Sequence, residues 1–68
     1  MTITREQIEQ LASRKGVRKI AVHNFLGTLG DMRAFDATQN LYQDARDYRW
    51  NAATIAAIKR GIQIGCKK

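Results

Sequence analysis

His23 is the only histidine of the chain and Cys66 its only cysteine, so acid–base, nucleophilic or metal chemistry would have to be built around these two side chains. Neither has the company such chemistry needs. No carboxylate lies three or four residues from His23, where a helix would bring it alongside the imidazole to orient it. Cys66 stands in Gly65-Cys66-Lys67-Lys68, and a single cysteine makes neither an internal disulfide nor a thiolate metal cluster. No glycine-rich phosphate loop follows a strand-like segment. These residues predict a protein that is not an enzyme, with no catalytic residue, cofactor or metal site, and one that binds rather than transforms.

Positive charge is what the sequence holds in quantity. Twelve lysines and arginines face six acids in 68 residues, a net charge of +6 at pH 7. The distribution is uneven. Residues 1–30 hold five basic and two acidic side chains, residues 31–48 two basic and four acidic, and residues 49–68 five basic and none acidic. Two basic ends thus flank a mildly acidic middle. Such blocks suit a polyanion, foremost nucleic acid. No signal-peptide pattern and no apolar run of bilayer-spanning length is visible, so the expected protein is cytoplasmic and has no membrane partner.

The elements that must position these charges read as helices. The chain contains no proline, and its hydrophobic residues recur at helical rather than alternating spacing. Thr4 with Gln7 three residues on makes a capping box, Ile3 and Ile8 a hydrophobic staple, and Ile8, Leu11 and Ala12 an apolar stripe that Gly16 terminates. A second helix is expected from about Arg18 to Leu29, with Val22, Phe25, Leu26 and Leu29 inward and Ile20, His23, Asn24 and Gly27 outward. Gly30-Asp31 breaks the chain, and Asp31 is a candidate cap for the third helix. That helix, from about Arg33 or Ala37 to Tyr48, is expected to bury Phe35, Thr38, Leu41, Tyr42, Ala45 and Tyr48. Trp50 belongs at the next junction. Asn51 caps a fourth helix, about Ala52 to Ile64, which carries Ile55, Ile58 and Ile62 on one side and Ala53, Ala56, Ala57 and Ile64 on the other. A helix apolar on both sides is central to the core or packs a second chain. The expected fold is all-α: one domain over residues 1–68, a compact bundle of four short helices with a helix-turn-helix-like first pair, and a flexible basic tail over 64–68.

The stretch from Leu11 to Leu26 resembles the helix-turn-helix of bacterial repressors of the lactose-repressor type. The resemblance rests on Ala12, Gly16 four residues later, Val17, and Val22 five beyond that, with Leu11 and Phe25 completing the apolar set. It covers about 20 of the residues. A small residue permits the close helix crossing, and glycine permits the left-handed turn. The resemblance implies a small regulatory protein of bacterial or phage type that binds double-stranded DNA, its second helix entering the major groove. Arg18, Lys19, Ile20, His23 and Asn24 would face the bases, with Arg14 and Lys15 on phosphate. Arginine and lysine reach guanine or phosphate, asparagine pairs with adenine, and isoleucine touches a thymine methyl. Where that family commonly has a capping serine or threonine, this chain has Arg18, which cannot cap.

Two further readings belong beside this one. The Lys15-Gly16-Val17 loop followed by a helix ending in Phe25-Leu26 is also similar to ubiquitin-associated domains. That implies a protein partner docked at the Gly16 loop and the Ile20 face. Ala45, Arg49-Trp50, Thr54-Ile55 and Ile58 also echo the first unit 33 residues later. If the second unit makes contacts of its own, Asn51, Lys59 and Arg60 form its polar patch. A homodimer is expected for a short recognition helix, and the alanine side of the fourth helix is its candidate face.

Overall fold

Thr4 opens the first helix as the spacing predicts. Its hydroxyl accepts from the Gln7 amide at 3.1 Å, and the Gln7 side chain accepts from the Thr4 amide at 2.8 Å. Ile3 and Ile8 are both buried, closing the staple. The computed structural model describes residues 3–66. Four helices follow in chain order: α1 (Arg5–Ala12), α2 (Lys19–Gly27), α3 (Ala34–Tyr48) and α4 (Ala52–Gly65). Among the described residues there is no strand, so the protein is an all-α bundle. No helix in this region is long and apolar enough to cross a membrane.

α4 is the shared partner. It packs against α1, α2 and α3, and α1 packs against α2, whereas α2 and α3 hardly touch. The buried face of α4 is Thr54, Ala57, Ile58, Gly61, Ile62 and Gly65. Small residues alternate with isoleucines there, and the glycine fixes how close α2 can come. A Cβ on Gly61 would lie 2.7 Å from Cδ2 of Leu26 and nearer still to its Cδ1, and Leu26 is fully buried. The core around this contact is Leu11, Ala12, Val22, Phe25, Leu26, Leu29, Ala37, Leu41, Ala57, Ile58 and Ile62.

Four sequence expectations are corrected. First, α1 stops at Ala12 rather than at Gly16: Ser13 is its C-cap, with its amide donating to the Glu9 carbonyl and its hydroxyl to the Gln10 carbonyl. Second, Asp31 does not cap α3: the N-cap is Arg33, with no side-chain hydrogen bond. Third, α3 buries Ala37 and Leu41, with Ala34, Thr38 and Ala45 half-buried, while Phe35, Tyr42 and Tyr48 stay 72%, 49% and 63% exposed. α3 meets only α4 closely, so a narrow strip of mostly small residues is enough; Phe35 and Tyr42 point away from that strip, and Tyr48, at the end of the helix, stacks on Trp50 instead of entering the core. Fourth, the tail expected from residue 64 is ordered as far as 66. The helix runs through Ile64 to Gly65, and Cys66 is buried with its thiol donating to the Met32 carbonyl at 3.2 Å. Lys67 and Lys68 lie outside the described residues.

Two glycine substitutions should move stability in opposite directions. Gly61→Ala overpacks Leu26 and is expected to cost about 1–3 kcal/mol, more than the ~1 kcal/mol it gains in helix propensity. Gly27 meets no atom that an added Cβ would crowd, so Gly27→Ala should gain up to ~1 kcal/mol. Urea unfolding followed by circular dichroism measures both.

Candidate nucleic-acid interface

The connection from α1 to α2 spans residues 13–18, longer than the three- or four-residue turn of a tight helix-turn-helix. Two backbone bonds shape it, Arg14 amide to Leu11 carbonyl at 3.4 Å and Val17 amide to Arg14 carbonyl at 3.2 Å. Gly16 takes φ +82°, the left-handed conformation the sequence required of it. The rest of its shape is imposed by α4. Asn51 caps α4 by accepting from the Thr54 amide at 3.0 Å, and its side-chain NH2 donates to the Gly16 carbonyl at 2.7 Å. The Thr54 hydroxyl donates to the same Asn51 oxygen and accepts from the Arg18 amide at 3.0 Å. Gly16, Asn51, Thr54 and Arg18 are thereby joined in one hydrogen-bonded relay, with Thr54 fully buried at its centre.

The relay leaves the basic side chains outside. Arg14, Lys15, Arg18 and Lys19 are exposed, and so are Ile20, His23 and Asn24. Among the described residues no carboxylate pairs with any of the four cations. Arg18 is the N-cap of α2 in extended conformation with no side-chain cap bond, and the first turn holds no acid. Intrahelical bonding begins with the Val22 amide on the Arg18 carbonyl. The amides of Lys19, Ile20 and Ala21 therefore stand at an uncapped, positive helix end that carries Arg18 and Lys19 and no acid.

At 3.6 residues per turn, Ile20, Asn24 and Gly27 form the outermost row of α2, opposite the buried Val22, Phe25, Leu26 and Leu29. His23 flanks that row on one side. The other side overlooks an open cleft of about 1070 Å³ between α2 and α3. Phe25, Leu29, Met32 and Trp50 line it, and Ile20, Asn24, Asp44 and Tyr48 stand along its walls. Trp50 meets Phe25 edge-on at 6.0 Å and stacks on Tyr48 at 5.8 Å, which fixes the aromatic corner. Ile20 is 76% exposed.

The three residues of the second polar patch are all exposed and lie along α4 and its cap. Asn51 spends both ends of its amide on the relay, and Lys59 and Arg60 follow two turns later, about 12 Å along the helix. Both are exposed, and Arg60 reaches Gln63 at 3.5 Å. The 33-residue echo does have structural counterparts. Arg49 ends α3 at φ 54°, the left-handed region that Gly16 occupies, and α2 and α4 begin at the same offset, Lys19 and Ala52. No group of three or more histidine, cysteine or acidic side chains gathers to hold a metal among the described residues.

Compared with protein families, curated proteins and solved structures, the chain matches none of them.

Thr54 is the site residue that sequence reasoning missed. It reads as a small residue on a helix face, and only its distance from Asn51, the capping spacing, hinted at a polar role. Removing its hydroxyl tests that role. Thr54→Val leaves the part-buried Arg18 amide without its partner, at an expected cost of about 1 kcal/mol. Hydrogen exchange at the Arg18 amide should quicken, and Thr54→Ser should keep it slow.

Proposed function

We propose that the chain binds nucleic acid, specifically double-stranded DNA, through the 13–18 connection and the outer face of α2. The observation that carries this reading is a run of four exposed, unpaired cations, two in the connection and two at the uncapped helix start it leads into. Phosphate oxygens are the natural ligands of such an arrangement, since they accept from amides and pair with lysine and arginine at once. Arg14 and Lys15 suit one phosphate run, Arg18 and Lys19 the groove edge. α2, nine residues long, fits the width of a major groove and offers Asn24, His23 and Ile20 to base edges. As a regulator of transcription it would act by occupying its site, with no chemistry required.

A second reading has its own support. The apolar cleft and the bare Ile20 suit the docking of a protein segment, as the likeness to ubiquitin-associated domains implies.

Anisotropy of a labelled random duplex at two salt concentrations tests the first reading. The expected affinity is on the order of micromolar and falls steeply with salt. Arg18→Ala with Lys19→Ala should flatten the log–log salt slope by about one unit per lost contact. Asn24→Ala should change base preference more than affinity. Failure to bind at low salt would sink the DNA reading.

Amide chemical shifts during the same titration separate the two surfaces. Changes centred on Arg14, Lys15 and His23, with Asn40, Tyr48 and Trp50 unmoved, place the duplex on the basic face. Changes centred on Asn40, Tyr48 and Trp50 would assign the contact to the cleft instead.

A further inference from the structure

Asp44 is the one acidic side chain along the α2–α3 cleft. It is half-buried, and among the described residues it has neither a hydrogen-bond nor an ion-pair partner. It belongs to a wall of Asn40, Asp44 and Tyr48, spaced i, i+4 and i+8 on α3 and so spread over about 12 Å. Asn24, exposed and equally without a partner, stands on the α2 wall. One end of the cleft is held by the Asn40 amide, which reaches the Met32 sulfur at 3.4 Å. At the other end Tyr48 and Trp50 meet Arg18 and Lys19, because the bond from Asn51 to Gly16 draws the start of α2 beside the aromatic corner. Trp50 covers one face of the Tyr48 ring, and Tyr48 remains 63% exposed.

Cations, then a flat aromatic surface, then a carboxylate and an amide call for a ligand of matching order. It needs an anionic end, a planar body and hydrogen-bond donors on its edge. A nucleotide has all three. We propose that the cleft seats unpaired nucleotides of a single strand. Their phosphates lie at Arg18 and Lys19, their bases against Tyr48 and Trp50, and their edges toward Asp44 and Asn24. Bases follow one another along a strand at ~3.4 Å or more, so the wall has room for about two of them. Charge favours a strand over a protein segment. A protein segment would have to bring an acid to Arg18 and Lys19 and a donor to Asp44 at this one spacing, whereas a strand carries a phosphate and a base edge at every step. The inference rests on the nucleic-acid reading and extends it from the outer face of α2, where a duplex would lie, into the cleft beside it. Asp44 also sets a preference. A carboxylate accepts from the cytosine N4 amine and repels the thymine O4 oxygen.

Trp50 is the only tryptophan of the chain, so its emission reports on the cleft. A deoxycytidine strand of about eight nucleotides should quench it saturably, with a dissociation constant on the order of 10 µM at low salt. A thymidine strand of the same length should bind about 3- to 10-fold more weakly, and Asp44→Asn, whose amide both accepts and donates, should level the two. Tyr48→Ser should weaken both strands about tenfold, with helicity retained by circular dichroism because the ring is outside the core. Duplex DNA should leave the emission unchanged. A strand that does not quench Trp50, or that binds the Tyr48→Ser chain as well as the original, overturns the proposal. So does quenching by a duplex as strong as by a strand. Cytidine monophosphate as potent as the strand would make this a free-nucleotide site and overturn it too. If strands fail while a duplex still binds by anisotropy, the reading of the basic face stands and only the cleft is reassigned; if both fail, that reading falls as well.

Discussion

The contact between Leu26 and Gly61 sets the geometry on which everything else depends. Because position 61 has no side chain, the Leu26 methyls lie against the backbone of α4, and α2 is drawn closely onto it. Thr54, Ala57 and Gly65 keep the same face slim along its length. One helix can then serve three neighbours, which is how so short a chain closes a core at all. The consequence appears on the far side. With α2 and α3 each fastened to α4 and hardly to one another, the space between them stays open, and its walls keep the hydrophobic residues that no third layer arrives to cover.

Charge and fold divide the molecule in a consistent way. The basic residues of the first connection sit where the backbone runs out of internal hydrogen-bond partners, at the start of α2. α3, the acidic element, has its carboxylates and aromatic rings turned mostly to solvent. α4 contributes little of its own to the exposed chemistry of the first connection. Its part is to hold that connection in place, through Asn51 and Thr54.

Much of this was legible in the sequence. The capping box at Thr4, the cap at Asn51 and the stripe of Val22, Phe25, Leu26 and Leu29 were readable because each is a local rule, satisfied within a few residues. The seven candidate residues between Arg14 and Asn24 are all exposed: Lys19, Ile20, His23 and Asn24 lie on the side of α2 away from its apolar stripe, and Arg14, Lys15 and Arg18 lie in the connection before it. What misled was size. Phe35, Tyr42 and Tyr48 looked like core because they are large and apolar, yet burial depends on whether a neighbour exists on that side, and periodicity carries no such information. Thr54 and Gly61 were hidden for the converse reason. A hydroxyl that closes a relay and an absent side chain that admits a leucine are visible only once two distant segments meet. Cys66 belongs with them, since its bond to Met32 spans the chain from end to middle.

The relay of Gly16, Asn51, Thr54 and Arg18 links residues 35 and 36 positions apart. The shape of the first connection is therefore not encoded within α1 and α2. It exists only once the fourth helix is docked. A peptide cut after α2 would keep the cations and lose their arrangement. The basic surface is in this sense not a transplantable motif: it belongs to the whole domain, and its shape is inherited from a helix that carries none of its charges.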